Sequence, residues 1–286
     1  MRRSRVPVCM SALFVLIWTC RSLPLAASDG VIEINQAKAL AGGVIPGDNA
    51  GFPVSVGSGS YCLTGNLDLT FLGPGVAENT HAIEVIGNPS YVELDLNGFS
   101  IVGPTVCTAS CAPTGIGSAV YSVSPEQYVH LHSGTIAGMG GYGAQLQRGN
   151  VEDVSFLNNG GNGLFHVYGM IKHCLALANG GVGIETIVGA VSESSSFVNL
   201  GDGIRARMVD SSISENNYGD GIEIGSGSVR ESASGGNGGK PLNCISSCTL
   251  NGNRFFSCAG TGCFGGAGTR IQVPAASNSC GDAVCP

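Results

Sequence analysis

The chain has 286 residues, 46 of them Gly, with only 12 % charged residues and a formal net charge of −7. The apolar fraction of 43 % is too high for a disordered chain, and the Gly content fits a tightly turned one. The acidic balance argues against nucleic acid and against an anionic membrane surface as partners.

The chain opens on an expected export signal, residues 1–27. Arg2, Arg3 and Arg5 form a basic start, and Val6 to Trp18 is an apolar run too short to span a bilayer. Leu25-Ala26-Ala27 offers a small-residue cleavage site, and Cys20 stands in a poor context for lipid attachment. No later stretch is long and apolar enough to span a membrane. The segment carries four Arg and no acid, so the mature chain has nine basic against twenty acidic residues. A periplasmic or extracellular destination follows. Residues 28–80 read as an N-terminal cap with the first strands, 81–240 as a repeat array, and 241–286 as last coils with a Cys-rich cap.

Tyr91 to Gly103 alternates apolar and polar residues as a strand does, and Tyr128 to Gly138 repeats its rhythm. Residues 104–117, holding Cys107 and Cys111, read as an inserted loop. From Gly143 the repeat is regular, with copies starting at Gly143, Gly163, Gly183, Gly203 and Gly221. The second position reads Ala144, Leu164, Ile184, Ile204, Ile222, and the ninth reads Val151, Ile171, Val191, Val209, Val229 once the fourth copy is allowed two deletions. The seventeenth is Asn159, Asn179, Asn199, Asn217 and Asn237, and the nineteenth is always Gly. A period near twenty residues means a stacked architecture. No 3.6-residue apolar period supports a long helix, and the leucine-rich signature is absent. The expected fold is all-β: a right-handed parallel β-helix of about 8–10 coils, capped at both ends. Its Asn column becomes a ladder of amides at one turn.

The segment Val92-Glu-Leu-Asp-Leu-Asn-Gly-Phe-Ser-Ile-Val-Gly-Pro104 and its Gly-anchored coils resemble the secreted right-handed parallel β-helix proteins of the pectate-lyase-like superfamily. The lead-in, Ile34 to Asp48 with Gly59 to Leu67, resembles a bacterial branch of that group with no assigned reaction. The resemblance spans roughly residues 30–240. It implies the fold, and it implies extracellular polysaccharide or cell-surface glycan as the partner class. Lyases of this kind remove a sugar proton with a basic side chain while calcium neutralises the uronate; hydrolases use paired carboxylates.

The third repeat position follows an inward one and should face outward. It reads Gln145, Phe165, Glu185, Arg205, Glu223, and Asp202 and Asp220 precede the anchor glycines. Asp202, Arg205, Asp220 and Glu223 are therefore candidate catalytic residues, with Glu185, Arg207 and Phe165 as substrate contacts. The competing expectation is an alternating-sign surface ladder with Asp-Gly turns, which is the more ordinary outcome. Calcium is the one cofactor such a patch would invite. The chain is expected to be a monomer, and a non-enzymatic envelope or extracellular structural protein or adhesin is the alternative.

Ten Cys lie beyond the signal. Eight form close pairs: Cys107 with Cys111, Cys244 with Cys248, Cys258 with Cys263, and Cys280 with Cys285. In an exported chain these read as disulfides rather than a zinc site. Cys174 falls in a small inward column and should be an inert thiol. His166 falls in an inward column too. His130 and His132 share one strand face, a weak metal pair with no third ligand visible in the sequence.

Overall fold

A computed structural model describes residues 30–107, 111–256, 264–265, 270–272, 278–280 and 283–284. The expected export signal and Cys258, Cys263 and Cys285 lie outside the described residues.

The chain winds through three parallel ladders, one per face. Face 1 begins with Val54–Val56, Ile83–Val85 and Val120–Tyr121, continues through residues 144–146, 164–166, 184–186, 204–206, 222–224 and 242–244, and ends at Phe264–Gly265. Face 2 begins with Val31–Ile34, Gly59–Leu63 and Ser90–Asp95 and runs through residues 127–132, 148–152 and their counterparts to Arg270–Gln272. Face 3 runs from Leu67–Asp68 through Leu175–Leu177, Ser195–Phe197, Ile213–Glu215 and Ala233–Gly235 to Ser279–Cys280. Each strand pairs with its counterpart one coil away, so the fold is an all-β parallel solenoid. The last pairing, Ser279–Cys280 with Ala283–Val284, is antiparallel.

The expected columns are the core. Ala144, Leu164, Ile184, Ile204, Ile222 and Leu242 are fully buried on face 1, and Val151, Ile171, Val191, Val209, Val229 and Leu250 are buried on face 2. A short helix, α1 (Gln36–Ala41), lies at the N-terminal end, with Asn35 Oδ1 accepting from the Lys38 amide and Ala39 buried. Six residues are too few to write a helical period into the sequence, which is why no helix was expected there.

Two corners are held by side-chain ladders. Between faces 3 and 1, Asn159, Asn179, Asn199, Asn217 and Asn237 pass Nδ2–H to Oδ1 from coil to coil at 2.9 to 3.1 Å. Between faces 2 and 3, the amides of Cys174, Ser194 and Ser212 donate to Ser194, Ser212 and Ser232 Oγ, and the Ser232 amide donates to Asn253 Oδ1. Each bonded group would otherwise be a buried orphan, which costs about 1–3 kcal/mol apiece. Asn and Gly are the residues that most readily adopt left-handed angles, yet the left-handed residue of the first corner is the one before the ladder Asn: Asn158, Ala178, Val198 and Asn216 all have φ between 54° and 57°. Burial of the Asn amide fixes that neighbour's backbone, even where it is β-branched. The anchor glycines serve close approach instead: a Cβ on Gly203 would overlap Ser214 Oγ.

Candidate functional site

Face 1 places the charged column as the period requires. Glu185, Arg205 and Glu223 are direct register partners, Ile184 to Ile204 to Ile222 lie inward beside them, and the charged side chains point out. Arg205 is the hub. Its Nη1 donates to Glu185 Oε1 at 3.1 Å and its Nη2 to Asp202 Oδ2 at 2.6 Å. Its Nε lies 2.7 Å from Glu223 Oε1 but off the N–H axis, an ion pair without a hydrogen bond. The row ends in amides, Asn162 donating to Glu185 Oε2 at 2.7 Å and Asn243 to Glu223 Oε2 at 3.1 Å.

Three carboxylates on one guanidinium leave this cluster net negative. Partial burial alone would lower the Arg205 pKa. The Glu185 hydrogen bond, the Glu223 charge and the Asp202 bond outweigh it and raise the pKa above its already high value. A guanidinium held this way orients and neutralises; it does not accept a proton.

Asp202 and Asp220 share a second task. Asp202 Oδ1 accepts the Asp220 amide and Asp220 Oδ1 accepts the Lys240 amide, both at 2.7 Å. Asn162 does the same for Val182 at 2.9 Å. This position is thus a rung of a further side-chain-to-backbone ladder. Phe165 sits one coil before Glu185 and stacks on Tyr142 at 5.8 Å between ring centroids. Arg207 is exposed and makes no ion pair among the described residues.

Next to the patch the wall is notched. The strand Ile204–Asp210 has 7 residues between neighbours, Ile184–Ser192 and Ile222–Arg230, of 9 each. Pairing slips between Glu185 and Ala190 and again between Ala206 and Met208, where faces 1 and 2 meet. Ile187 and Val188 on one side and Gly225 and Ser226 on the other then border a depression of about 420 Å³ that also touches Glu185, Arg205, Arg207 and Glu223. A second, more apolar one of about 450 Å³ adjoins it at Met170, Val188 and Met208. The described residues of the loop, 104–107 and 111–117, lie elsewhere, over the turn corner, with Gly117 N bonded to Glu78 O and Thr105 N to Gly138 O.

Sequence reasoning missed one outward group on face 2 and the acidic half of another. Tyr91, Tyr128, Arg148 and Tyr168 are successive register partners, and the three tyrosines are 66 %, 39 % and 44 % exposed. Arg148 lies over the Tyr168 ring, 5.4 Å from its centroid. The second group pairs His130 with Glu93 and His132 with Asp95 across neighbouring coils. Aligning Tyr91-x-Glu93-x-Asp95 on Tyr128-x-His130-x-His132 would have paired the first two tyrosines and set Glu93 and Asp95 beside the histidines.

Cys107–Cys111 and Cys244–Cys248 are disulfides. Cys174 is buried, as expected, and burial pushes its thiol pKa up to about 12. His166 is fully buried with neither ring nitrogen bonded, and desolvation lowers its pKa to about 4.

The ladders define the class of protein, a parallel β-helix. No protein-family model matches the chain, and no curated protein matches it. Among solved structures, the crystal structure of pectate lyase Pel9A is similar, with a TM-score of 0.44 and 12 % identity over 81 % of this chain and 74 % of that one. Among the described residues no helix is long and apolar enough to cross a membrane.

Proposed function

We propose that this chain is an exported β-helix that binds extracellular polysaccharide on its outer wall, with a preference for neutral sugars. The observation that carries this reading is the exposed row Tyr91, Tyr128, Tyr168 on face 2. Aromatic rings present a flat, electron-rich face and lose little side-chain freedom on contact, which suits the C–H face of a pyranose ring. A rod-like wall repeats such contacts along its axis, as a polymer requires. The net negative cluster around Arg205 disfavours polyuronates. The two disulfides fit an oxidising compartment. Binding to a panel of neutral and acidic polysaccharides tests this. Tyr128→Ala and Tyr168→Ala should each weaken binding to the best neutral polymer about tenfold, roughly 1.4 kcal/mol. Equal binding by the double variant, or no binding to any polymer, removes the reading.

A second reading, that the same polymer is cleaved or epimerised, has the depression beside Glu185, Arg205 and Glu223 in its favour. In it Asp202, Asp220 and Glu223 supply acid and base, and Arg205 clamps the substrate; calcium would have to enter among them. Turnover on the same panel, with and without calcium, decides this. It should vanish in Glu223→Gln, and its absence throughout leaves binding as the function.

A further inference from the structure

We infer that face 2 carries a site for a divalent transition-metal ion of the zinc class, formed by Glu93, His130 and His132. His130 and His132 lie two residues apart on one strand, so both point outward, and Glu93 on the preceding coil is the register partner of His130. One ligand atom from each residue lies within 4.8 Å of the other two. Glu93 Oε1 is 4.0 Å from His130 Nδ1 and 3.6 Å from His132 Nε2. These separations are too long for hydrogen bonds. They are close to those of donors that share one ion at about 2.0–2.2 Å from each.

His132 is held as a ligand would be. Its Nδ1 is 3.0 Å from Ser133 Oγ and 3.4 Å from Asp95 Oδ1. Asp95 Oδ1 is itself fixed by the Asn97 amide at 2.7 Å. An Nδ1–H donated to Ser133 Oγ, with the Asp95 carboxylate beside it, leaves the lone pair on Nε2, and Nε2 is a buried atom with no hydrogen-bond partner. An outer polar partner on one ring nitrogen and a free inner nitrogen are the usual support of a metal-bound histidine; here the hydroxyl of Ser133 is that partner and Asp95 backs it. Two imidazoles and one carboxylate suit zinc and its neighbours rather than calcium, which prefers oxygen donors. With three protein ligands, one coordination position faces solvent.

The other group of possible donors, Glu152, Asp153 and His173, is a different case. It has a single imidazole, and His173 Nε2 is already bonded to Glu193 Oε2 at 2.7 Å. It serves as the internal control.

The test is a Zn2+ titration of tag-free protein by calorimetry, repeated in competition with a coloured chelator. One ion per chain is expected. His130→Ala and His132→Ala, each checked for an unchanged circular dichroism spectrum, should weaken binding at least 100-fold. Asp95→Asn should weaken it about tenfold by loosening His132, and His173→Ala should leave it unchanged. Co2+ in place of Zn2+ should give a visible ligand-field spectrum that His132→Ala abolishes. No stoichiometric binding, or binding that survives both histidine substitutions, overturns the site. The outcome is independent of whether the wall binds polysaccharide.

Discussion

Asn179 and Asn199 are joined twice: Asn179 Nδ2–H and the Asn179 backbone N–H both donate to Asn199 Oδ1 at 2.9 Å. Asn199 Nδ2 in turn donates to Asn217 Oδ1 at 2.9 Å and Ser196 Oγ at 3.0 Å. A single amide therefore satisfies groups on three coils. Asn199→Ala should lower unfolding free energy by about 2–4 kcal/mol, because it strands two buried donors on Asn179 and removes one of the donors to Asn217 Oδ1. Urea denaturation measures this, and a loss below about 0.5 kcal/mol would mean the ladder is ornament.

His166 should make the fold acid-sensitive. Its folded pKa, about 4, lies below the value near 6.5 of an unfolded chain. The unfolded state therefore takes the proton first, and the full stability exists only above about pH 6.5. Between about pH 6.5 and 4 the contribution falls, by up to about 3 kcal/mol. His166→Leu restores the residue type of Leu146 one coil earlier in the column. It should flatten stability across that pH range and raise it at neutral pH by about 1 kcal/mol. An unchanged pH profile would place the acid sensitivity in other groups.

Arg205→Leu should destabilise by roughly 1–2 kcal/mol, a modest figure because the side chain is 40 % exposed and solvent screens the pairs. The loss comes mainly from Glu185, Asp202 and Glu223 facing one another without a cation, so added salt should shrink it. Arg205→Lys should recover only part, since an ammonium cannot fork to three carboxylates. Equal stability of Arg205→Leu and the parent at low salt would show that the cluster is not held by charge.

Cys174 should resist alkylation in the folded protein and react at once in denaturant, because its thiolate is disfavoured by burial. Mass spectrometry after iodoacetamide, with and without urea, reads this directly. Prompt labelling of the native chain would mean that the coil around Cys174 opens easily.

The repeat made the fold legible because each column has one environment. Ala144, Leu164, Ile184, Ile204 and Ile222 share a wall, and one residue type per column reports it. The same logic places Glu185, Arg205 and Glu223 side by side from the sequence alone, and the register agrees. It did not reveal that Asp202 and Asp220 also cap backbone amides, since an Asp that bonds a neighbouring coil has the same spacing as one that faces a substrate. Nor did it find Glu93 as the partner of His130, which sits in the irregular coils where the step from 93 to 130 departs from twenty. Regular repetition exposes neighbours, and irregular repetition hides them.

The seven-residue strand Ile204–Asp210 shows how such a wall acquires relief. A rod built from equal rungs is smooth, and exchanging one side chain for another only roughens it. Shortening a single rung by two residues leaves a recess bordered by the two longer rungs, while the pairing resumes in register on either side of the gap. Adding two residues between Ala206 and Arg207 should level the surface without touching the core. In a molecule of this build, concavities are carved by rung length, so the coil that breaks the count marks where the outer surface differs from the rest.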